Sequence, residues 1–162
     1  MTDDEQAAMR AYFRWHWENG VAFNKHCNVT VPRWEPEGVE LHLPYVEHLG
    51  AHAGIFHGGV VGALIDTAAS AAVLAGHDFG RGSRIVTLSM TVNYLGSAPN
   101  EDAVAYARVT KRGGRVQYSE VKVRSASTNV DVAEGLVTTM ISGEKAGLAE
   151  AMAGWRAVTG QG

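Results

Sequence analysis

The amino-acid sequence predicts an α+β fold in which an antiparallel sheet wraps one long central helix, with an extra helix at the N-terminus. Residues 58–76 are apolar or small apart from Asp66, and a helix that is apolar on all sides must be covered on nearly all of them. From residue 84 the pattern changes to strand-like alternation, and four strand runs follow without helices between them. Because strands and helices do not alternate, a parallel doubly wound sheet is disfavoured.

The composition narrows the class of protein. A chain of 162 residues predicts one domain over 1–162, with its core over about 21–142. Apolar residues make up 46% and charged residues 19%, which excludes a disordered chain. The net charge of −3 argues against a nucleic-acid partner, and the single cysteine, Cys27, excludes an internal disulfide. The acidic start at 1–5 lacks the layout of a signal peptide, so a cytoplasmic location is expected.

The apolar stretch is nearly as long as a membrane span, yet it predicts a core helix. Its only ionisable side chain, Asp66, lies near the middle of 58–76. A charged aspartate at the centre of a bilayer costs roughly 2.5–3.5 kcal/mol on insertion scales. We therefore expect a buried helix and no membrane partner.

The elements before the central helix follow from local signals. Thr2 and Glu5 have capping-box spacing, which predicts an N-terminal helix over about 3–19. Strand-like runs cover 27–33 and 39–43, and residues 44–56 are expected to form a loop. The tail, about 144–162, has weak helical character.

The elements after the central helix predict an antiparallel meander. In 84–95 alternate residues are apolar, which predicts a strand with one apolar face formed by Val86, Leu88, Met90, Val92 and Tyr94. Runs 103–111 and 115–124 form a predicted hairpin across Gly113-Gly114, and 130–141 completes the sheet. In the second arm of the hairpin the apolar phase changes between Tyr118 and Val121, which predicts a bulge there.

Two features of the central helix suggest chemistry. Its start, Gly58-Gly59, exposes backbone N–H groups that can bind an anion or polarise a carbonyl. Asp66, with no cation nearby in sequence, is a candidate base or nucleophile. The alternative is that Asp66 only accepts a hydrogen bond from a neighbouring hydroxyl, Thr67 or Ser70.

The spacing between these features bears on the assembly. Eight residues separate Gly58 from Asp66, which is roughly 12 Å along a helix at 1.5 Å per residue. One carbonyl carbon cannot touch both groups across that distance. If both act in one reaction, we expect them to come from different subunits of a symmetric dimer.

The run 54–68, with Gly54, His57-Gly58-Gly59 and an acidic residue nine positions after the histidine, resembles the signature of hotdog-fold acyl-CoA thioesterases of the phenylacetate-pathway type. Residues 86–99 are similar to the strand that follows the helix in that family. The resemblance covers roughly 38–142. It implies a helix wrapped by an antiparallel sheet, edge-to-edge dimers or dimers of dimers, and acyl-CoA as the substrate with no cofactor.

The same resemblance implies roles for three catalytic residues. The Gly58 N–H would polarise the thioester carbonyl, and Asp66 of the partner subunit would attack it or activate water. Thr87 lies where relatives place a hydroxyl that orients the water or the carboxylate; the plain alternative is an ordinary strand residue. In one respect the sequence departs from the family, because Ala51 stands where many relatives have an asparagine that holds substrate or water. His48 and His52 are candidates to replace it.

Substrate-binding candidates lie in two places. His57, Gly59 and Asn93 belong to the motif and the following strand, and His57 is expected mainly to anchor its loop by a hydrogen bond. The hairpin tip, with Lys111 beside it, is basic and suits the phosphates of coenzyme A; its candidates are Arg112, Gly113, Gly114 and Arg115. A solvated edge strand is the alternative there. The histidine spacing does not suit a helical metal site, so no metal is expected.

Two other functions remain open at this stage. Ala51 is compatible with a hotdog module that binds acyl-CoA without hydrolysing it. A hotdog enoyl-CoA hydratase would instead need a histidine and a carboxylate together at the C=C bond.

Overall fold

The computed structural model describes residues 1–52, 54–143, 149 and 153–155. Its helices and strands come in the order α1 (Asp3–Asn19), α2 (Ala22–His26), β1 (Thr30–Glu35), β2 (Gly38–Leu43), β3 (Gly50–His52), β4 (Ile55–Phe56), α3 (Gly58–Ala75), β5 (Arg84–Tyr94), β6 (Ala103–Arg112), β7 (Val116–Ser125) and β8 (Asp131–Ser142). Short 3₁₀ turns lie at Glu47–Leu49 and Phe79–Arg81. Most of the expected tail, 144–162, lies outside the described residues.

Six strands form one antiparallel sheet in the order β1-β2-β6-β7-β8-β5. The sheet curls around α3, whose leucines and alanines, apart from Ala63, are almost fully buried. Strands β3 and β4 form a separate small pair just before α3. The predicted α+β architecture, the hotdog, is confirmed.

Small residues let α3 approach the sheet closely. A Cβ at Gly135 of β8 would lie 2.5 Å from Ile65 Cγ2, so only glycine fits at this crossing. Among the described residues, α3 is the one helix long and apolar enough to cross a membrane, with a mean hydropathy of 1.6. It is the core helix, since most of its length is buried beneath the sheet and α1.

Helix α1 begins and docks as predicted. Thr2 Oγ1 accepts from the Glu5 N–H at 3.2 Å, and Glu5 Oε2 accepts from the Thr2 N–H at 2.9 Å. The helix packs on α3 through an apolar face that includes Phe13, whose ring stacks on Phe79 at a centroid distance of 5.1 Å. Such aromatic pairs add about 0.5–1.5 kcal/mol beyond the area they bury.

The prediction that β5 has a single apolar face is wrong, because a β-bulge interrupts the strand. Thr87 pairs with Thr139 and Ser89 with Thr138, so Leu88 is left without a partner on β8. One extra residue reverses the facing of the side chains on either side of it. Thr87 therefore faces α3, and Leu88 is 52% exposed.

The bulge predicted in β7 is also wrong. Burial alternates regularly along this strand, and its inward side includes polar Gln117 and Ser119. Tyr118 faces outward and is 43% exposed. The hairpin instead carries its bulge on β6, where pairing skips Thr110. The sequence misled because two polar residues occupy core positions.

Two boundaries before α3 differ from the prediction. The run 27–33 is strand only from Thr30, because α2 ends at His26 and Cys27 is its C-cap. The expected loop 44–56 contains a 3₁₀ turn and the β3–β4 pair. Gly54, between those strands, has φ +80° and packs against Asn100, whose backbone N–H donates to the Gly54 carbonyl at 2.7 Å.

Stability is expected to fall as the pH drops below about 6.5. Burial lowers the pKa of His77, which is 7% exposed and has Nε2 2.8 Å from the Gly82 carbonyl. The unfolded chain then binds a proton at a higher pH than the folded one, so the free energy of unfolding decreases from about pH 6.5 downward until the lowered pKa is passed. Urea unfolding from pH 8 to 5 measures this slope. His77→Gln, which keeps a donor for Gly82 but cannot titrate, should make the slope shallower, and burial of His16, which also lowers its pKa, accounts for a slope that remains; an unchanged slope would contradict the assignment.

Candidate active site

The N-terminus of α3 leaves one backbone donor available. His57 is the N-cap, and its Nδ1 accepts from the Gly59 N–H at 2.9 Å. The His57 carbonyl accepts from Val60 and Val61. Among the described residues nothing accepts from the Gly58 N–H. The helix end therefore presents that single N–H, with the partial positive charge of a helix N-terminus behind it.

Tyr94 fixes the same turn from the other side. Its hydroxyl donates to the Gly58 carbonyl at 2.7 Å, and its ring lies 3.5 Å from where a Cβ of Gly58 would be. Sequence reasoning included Tyr94 in the family-like strand but gave it no role. The signal that could have found it is a polar aromatic residue at the end of an otherwise apolar strand.

A cavity of about 160 Å³ opens beside Gly58. Its wall is mainly apolar and combines the end of β4, the first turn of α3 and the starts of β6 and β8, with Phe56, Val61, Ala103 and Val132 among the contributing side chains. Asp66 does not line it. A group bound to the Gly58 N–H can therefore extend into the protein, away from the carboxylate of the same chain.

Asp66 lies two turns further along α3, paired with Thr87. Thr87 Oγ1 donates to Asp66 Oδ1 at 2.6 Å across the gap between β5 and the helix. Thr67, one of the neighbours considered as a partner for Asp66, instead donates to Asn24 Oδ1 at 3.1 Å. The carboxylate is only partly buried and accepts from a hydroxyl presented by the bulged strand.

Helices α1 and α2 brace the backbone beside Asp66. Trp17 Nε1 donates to the Thr67 carbonyl at 3.2 Å. Asn24, which is fully buried, donates to the Trp17 carbonyl at 2.9 Å and accepts from Thr67. These contacts hold the middle of α3 in place, so the position of the carboxylate does not depend on Thr87 alone.

Asp66 belongs to the incompletely covered side of α3. Gly59, Ala63 and Asp66 follow each other at helical spacing, and none of them is fully buried. This stripe lies towards β5, the last strand of the sheet, which pairs with β8 on one side only among the described residues. The helix is continuous from Gly58 to Ala75, so the separation of roughly 12 Å between Gly58 and Asp66 holds.

The basic hairpin tip lies at the other end of α3. Arg112 donates from its two terminal nitrogens to the Val73 carbonyl at 3.1 Å and the Ala72 carbonyl at 3.3 Å. Arg81 donates to the Gly114 carbonyl at 2.8 Å, so a further cation joins the tip. Arg112 thus covers the C-terminal carbonyls of the helix, while Lys111 and Arg115 are exposed. Binding of phosphate by Arg112, Gly113, Gly114 and Arg115 stays a prediction.

The remaining candidates lie on β5 and on the segment before α3. Asn93 faces outward on β5 and donates to Glu134 at 3.3 Å. Ala51 and His52 are exposed on β3, and the His48 ring lies 5.8 Å from that of His26. This segment runs beside the start of α3, because the His57 N–H donates to the Leu49 carbonyl at 2.9 Å and Gly50 pairs with Phe56; a role for His48 or His52 in place of the asparagine stays a prediction. Within the described ranges no three His, Cys, Asp or Glu side chains converge as metal ligands.

Comparison with a family model described as the thioesterase superfamily matches residues 53–132. This range contains Gly58, Asp66 and Thr87, and it ends at the start of β8. The matched segment therefore contains the three catalytic candidates.

Known proteins resemble the chain over wider ranges. A Halobacterium salinarum protein provisionally named an esterase is 29% identical over 132 residues, which is 80% of this chain and 83% of that protein. Human acyl-coenzyme A thioesterase 13 is 31% identical over 90 residues, 55% of this chain, and the chain spans 61% of its length.

Among solved structures, a Streptococcus pneumoniae hypothetical thioesterase with coenzyme A has a TM-score of 0.64 at 18% identity, covering 74% of this chain and 92% of that one. At this identity the likeness concerns the fold.

Proposed function

We propose that this chain, a member of the thioesterase superfamily through residues 53–132, is an acyl-CoA thioesterase. The observation that carries the proposal is the N–H of Gly58, which has no acceptor among the described residues and lies beside a mainly apolar cavity. Relatives named for esterase and acyl-CoA thioesterase activity, and a structural neighbour with coenzyme A, support the choice of substrate.

The reaction adds water across the thioester. The bond between the acyl carbon and sulfur breaks, the acyl carbon gains an oxygen, and the products are a free acid and coenzyme A as its thiol. During attack the carbonyl oxygen gains negative charge, and the Gly58 N–H donates to it. This donor is fixed before the reaction by the His57 cap and by Tyr94, so little reorganisation is needed in the transition state.

Asp66 promotes the attack on the thioester carbonyl by one of two routes. As a general base it takes a proton from water, whose oxygen adds to the carbonyl. As a nucleophile it adds directly and forms an acyl anhydride, which water then hydrolyses. A single turnover in ¹⁸O-water, read together with trapping by hydroxylamine, separates them. The base route puts ¹⁸O into the acid product and leaves no trappable intermediate. The nucleophilic route forms an anhydride that hydroxylamine traps, and water that attacks its aspartyl carbon puts ¹⁸O into Asp66 and leaves the acid unlabelled.

The working unit is proposed to be a symmetric dimer. β5 ends the sheet, and Val86, Leu88, Met90 and Tyr94 along it are all more than one third exposed. A long apolar edge strand is a template for pairing with another chain. A second copy placed there also covers the open stripe of α3, which brings Asp66 of one subunit towards Gly58 of the other.

The activity is tested with a panel of acyl-CoAs and a thiol reagent that reports free coenzyme A. Cleavage of at least one ester with a kcat that depends on Asp66 is the expected result. Saturable binding of the esters without release of thiol would favour the non-catalytic module instead. Loss of enoyl absorbance without thiol release would favour a hydratase.

The shared site is tested by mixing two inactive variants, Asp66→Asn and Gly58→Pro. If each site combines Gly58 of one subunit with Asp66 of the other, a mixed dimer contains one intact site. Statistical exchange should then restore about a quarter of the wild-type activity. If each site were built within one subunit, the mixture would recover no activity. That outcome would show that the mechanism does not need the dimer.

Thr87→Val is expected to lower kcat by about 10- to 100-fold, because a hydrogen bond to a charged group contributes about 1.5–3 kcal/mol. Asp66 would lose the donor that lies 2.6 Å from its Oδ1. Thr87→Ser keeps the hydroxyl and should recover most of the rate. Steady-state kinetics of both variants on the best ester give the measurement. Equal rates for the valine and serine variants would make the hydroxyl irrelevant.

A further inference from the structure

The cavity beside Gly58 has an acidic side. Besides its apolar wall it is lined by Glu101 and Asp102 at the start of β6, together with the hydroxyl-bearing Ser97 and Ser125. No lysine or arginine is among its lining residues. The lining thus includes two acidic side chains and, among the described residues, no basic one.

The charge of Glu101 is not compensated by a cation in the described part of the chain. Its carboxylate accepts from the Thr128 N–H at 3.0 Å and from Thr128 Oγ1 at 2.9 Å, and both donors are neutral. The Thr128 N–H bond lowers the pKa of Glu101, so the group is ionised at neutral pH. Because both oxygens are held by one residue, the position of the carboxylate is fixed.

Asp102 is held in a different way. One oxygen accepts from the Tyr45 N–H at 2.8 Å, and the other lies 3.1 Å from His42 Nε2. The lining of the cavity therefore includes one carboxylate held by neutral donors and one that lies between a backbone N–H and a histidine.

The size of the cavity limits which acyl groups can bind in it. A volume of about 160 Å³ is close to the roughly 150 Å³ of a protein cavity that admits benzene. Acyl groups of about four to six carbon atoms fit such a space. An acyl group bound with its carbonyl at the Gly58 N–H would extend along this lining, which includes Glu101 and Asp102.

On the basis of the proposed thioesterase activity, we infer that this cavity holds the acyl group and that Glu101 and Asp102 select against acyl groups that end in a carboxylate. A like charge brought near the two carboxylates in a partly desolvated space is disfavoured by Coulomb repulsion. A neutral acyl group meets no such penalty, and one that ends in an ammonium is attracted.

The test is a charge series of nearly equal size: succinyl-, butyryl- and β-alanyl-CoA. We expect kcat/KM for butyryl-CoA to exceed that for succinyl-CoA by about tenfold or more. The kcat/KM for β-alanyl-CoA should exceed that for succinyl-CoA by at least the same factor. In Glu101→Gln, whose side-chain oxygen can still accept from Thr128, the butyryl-to-succinyl ratio should fall severalfold. Asp102→Asn should move it in the same direction.

Two controls make the result specific. Glu37→Gln removes the same charge from an exposed turn, and its butyryl-to-succinyl ratio should equal that of the wild type. The ratio is measured on one preparation, so it does not depend on the fraction of a variant that folds.

Each outcome has a distinct meaning. If succinyl-CoA is cleaved as well as butyryl-CoA, or if Glu101→Gln leaves the ratio unchanged, the inference is wrong while the thioesterase assignment stands. If only long-chain esters are cleaved, the cavity is not the acyl site. If no ester at all is cleaved, the proposed function fails and this inference fails with it.

Discussion

Asp66→Asn is expected to lower kcat for the best acyl-CoA by about 10²- to 10⁴-fold, the range typical of a lost general base. Asparagine has the same shape and can still accept from Thr87, which lies 2.6 Å from Asp66 Oδ1, so the fold and the local contacts should persist. What disappears is the ability to take a proton or to attack the carbonyl. Steady-state kinetics with the thiol reagent measure the loss.

The matched control for this change is Asp4→Asn, which removes a carboxylate from the exposed first turn of α1. It should leave kcat within about twofold of wild type, because exposed charges far from the site are well screened. A thermal melt of both variants checks that they are folded. Full activity in a folded Asp66→Asn protein would exclude the carboxylate from catalysis and overturn the mechanism.

Gly58→Pro is expected to lower kcat by about 10²- to 10³-fold, as found when one oxyanion donor is removed from an enzyme. Proline deletes the N–H and adds the carbons of its ring, and Gly58 is the first residue of α3, where proline is well tolerated. The preceding residue, His57, already has the extended backbone that proline demands, with φ −61° and ψ 133°. The change therefore removes the proposed donor and leaves the helix intact.

Gly58→Ala is the comparison for this variant. It retains the N–H and adds a methyl group 3.5 Å from the Tyr94 ring, an ordinary van der Waals distance. We expect the alanine variant to stay within several-fold of wild type while the proline variant is nearly inactive. Equal kcat values for the two would show that the N–H does not stabilise the transition state.

The sequence predicts those parts of the fold where one signal dominates. The apolar run 58–76 becomes α3 with only its last residue changed, and the capping box of Thr2 and Glu5 starts α1 where expected. In both places local propensity and tertiary packing favour the same structure. The choice of Gly58 as donor also fits the geometry, because His57 accepts from the next three N–H groups of the helix.

The prediction fails where tertiary contacts override alternation. The apolar residues of β5 alternate as if for one buried face, but no periodicity shows that pairing with β8 skips Leu88. In β7 the polar pair Gln117 and Ser119 is buried, because the neighbouring strands fix the register of the whole strand. Likewise the contact of Arg112 with α3 depends on a fold that brings residues 39 positions apart together.

The contributions of Tyr94 and Glu101 could not be predicted from spacing alone. Tyr94 reaches Gly58 from 36 residues away, and Glu101 reaches Thr128 from 27 residues away. Such pairs are defined by the sheet and not by a motif. A single sequence gives their residue types, and the fold decides which of them meet.

The bulge at Leu88 decides which side chains of β5 face α3. The arrangement that the fold adopts buries less apolar surface in the core than a regular strand would. In a regular strand Val86 and Leu88 would turn towards α3, and Thr87 would point to solvent. Each Å² of apolar surface covered in that way would contribute about 25 cal/mol. The subunit forgoes that burial and places a hydroxyl on Asp66 instead. An isolated subunit is therefore stabilised less than its composition allows, and in return Thr87 Oγ1 lies within hydrogen-bond distance of Asp66.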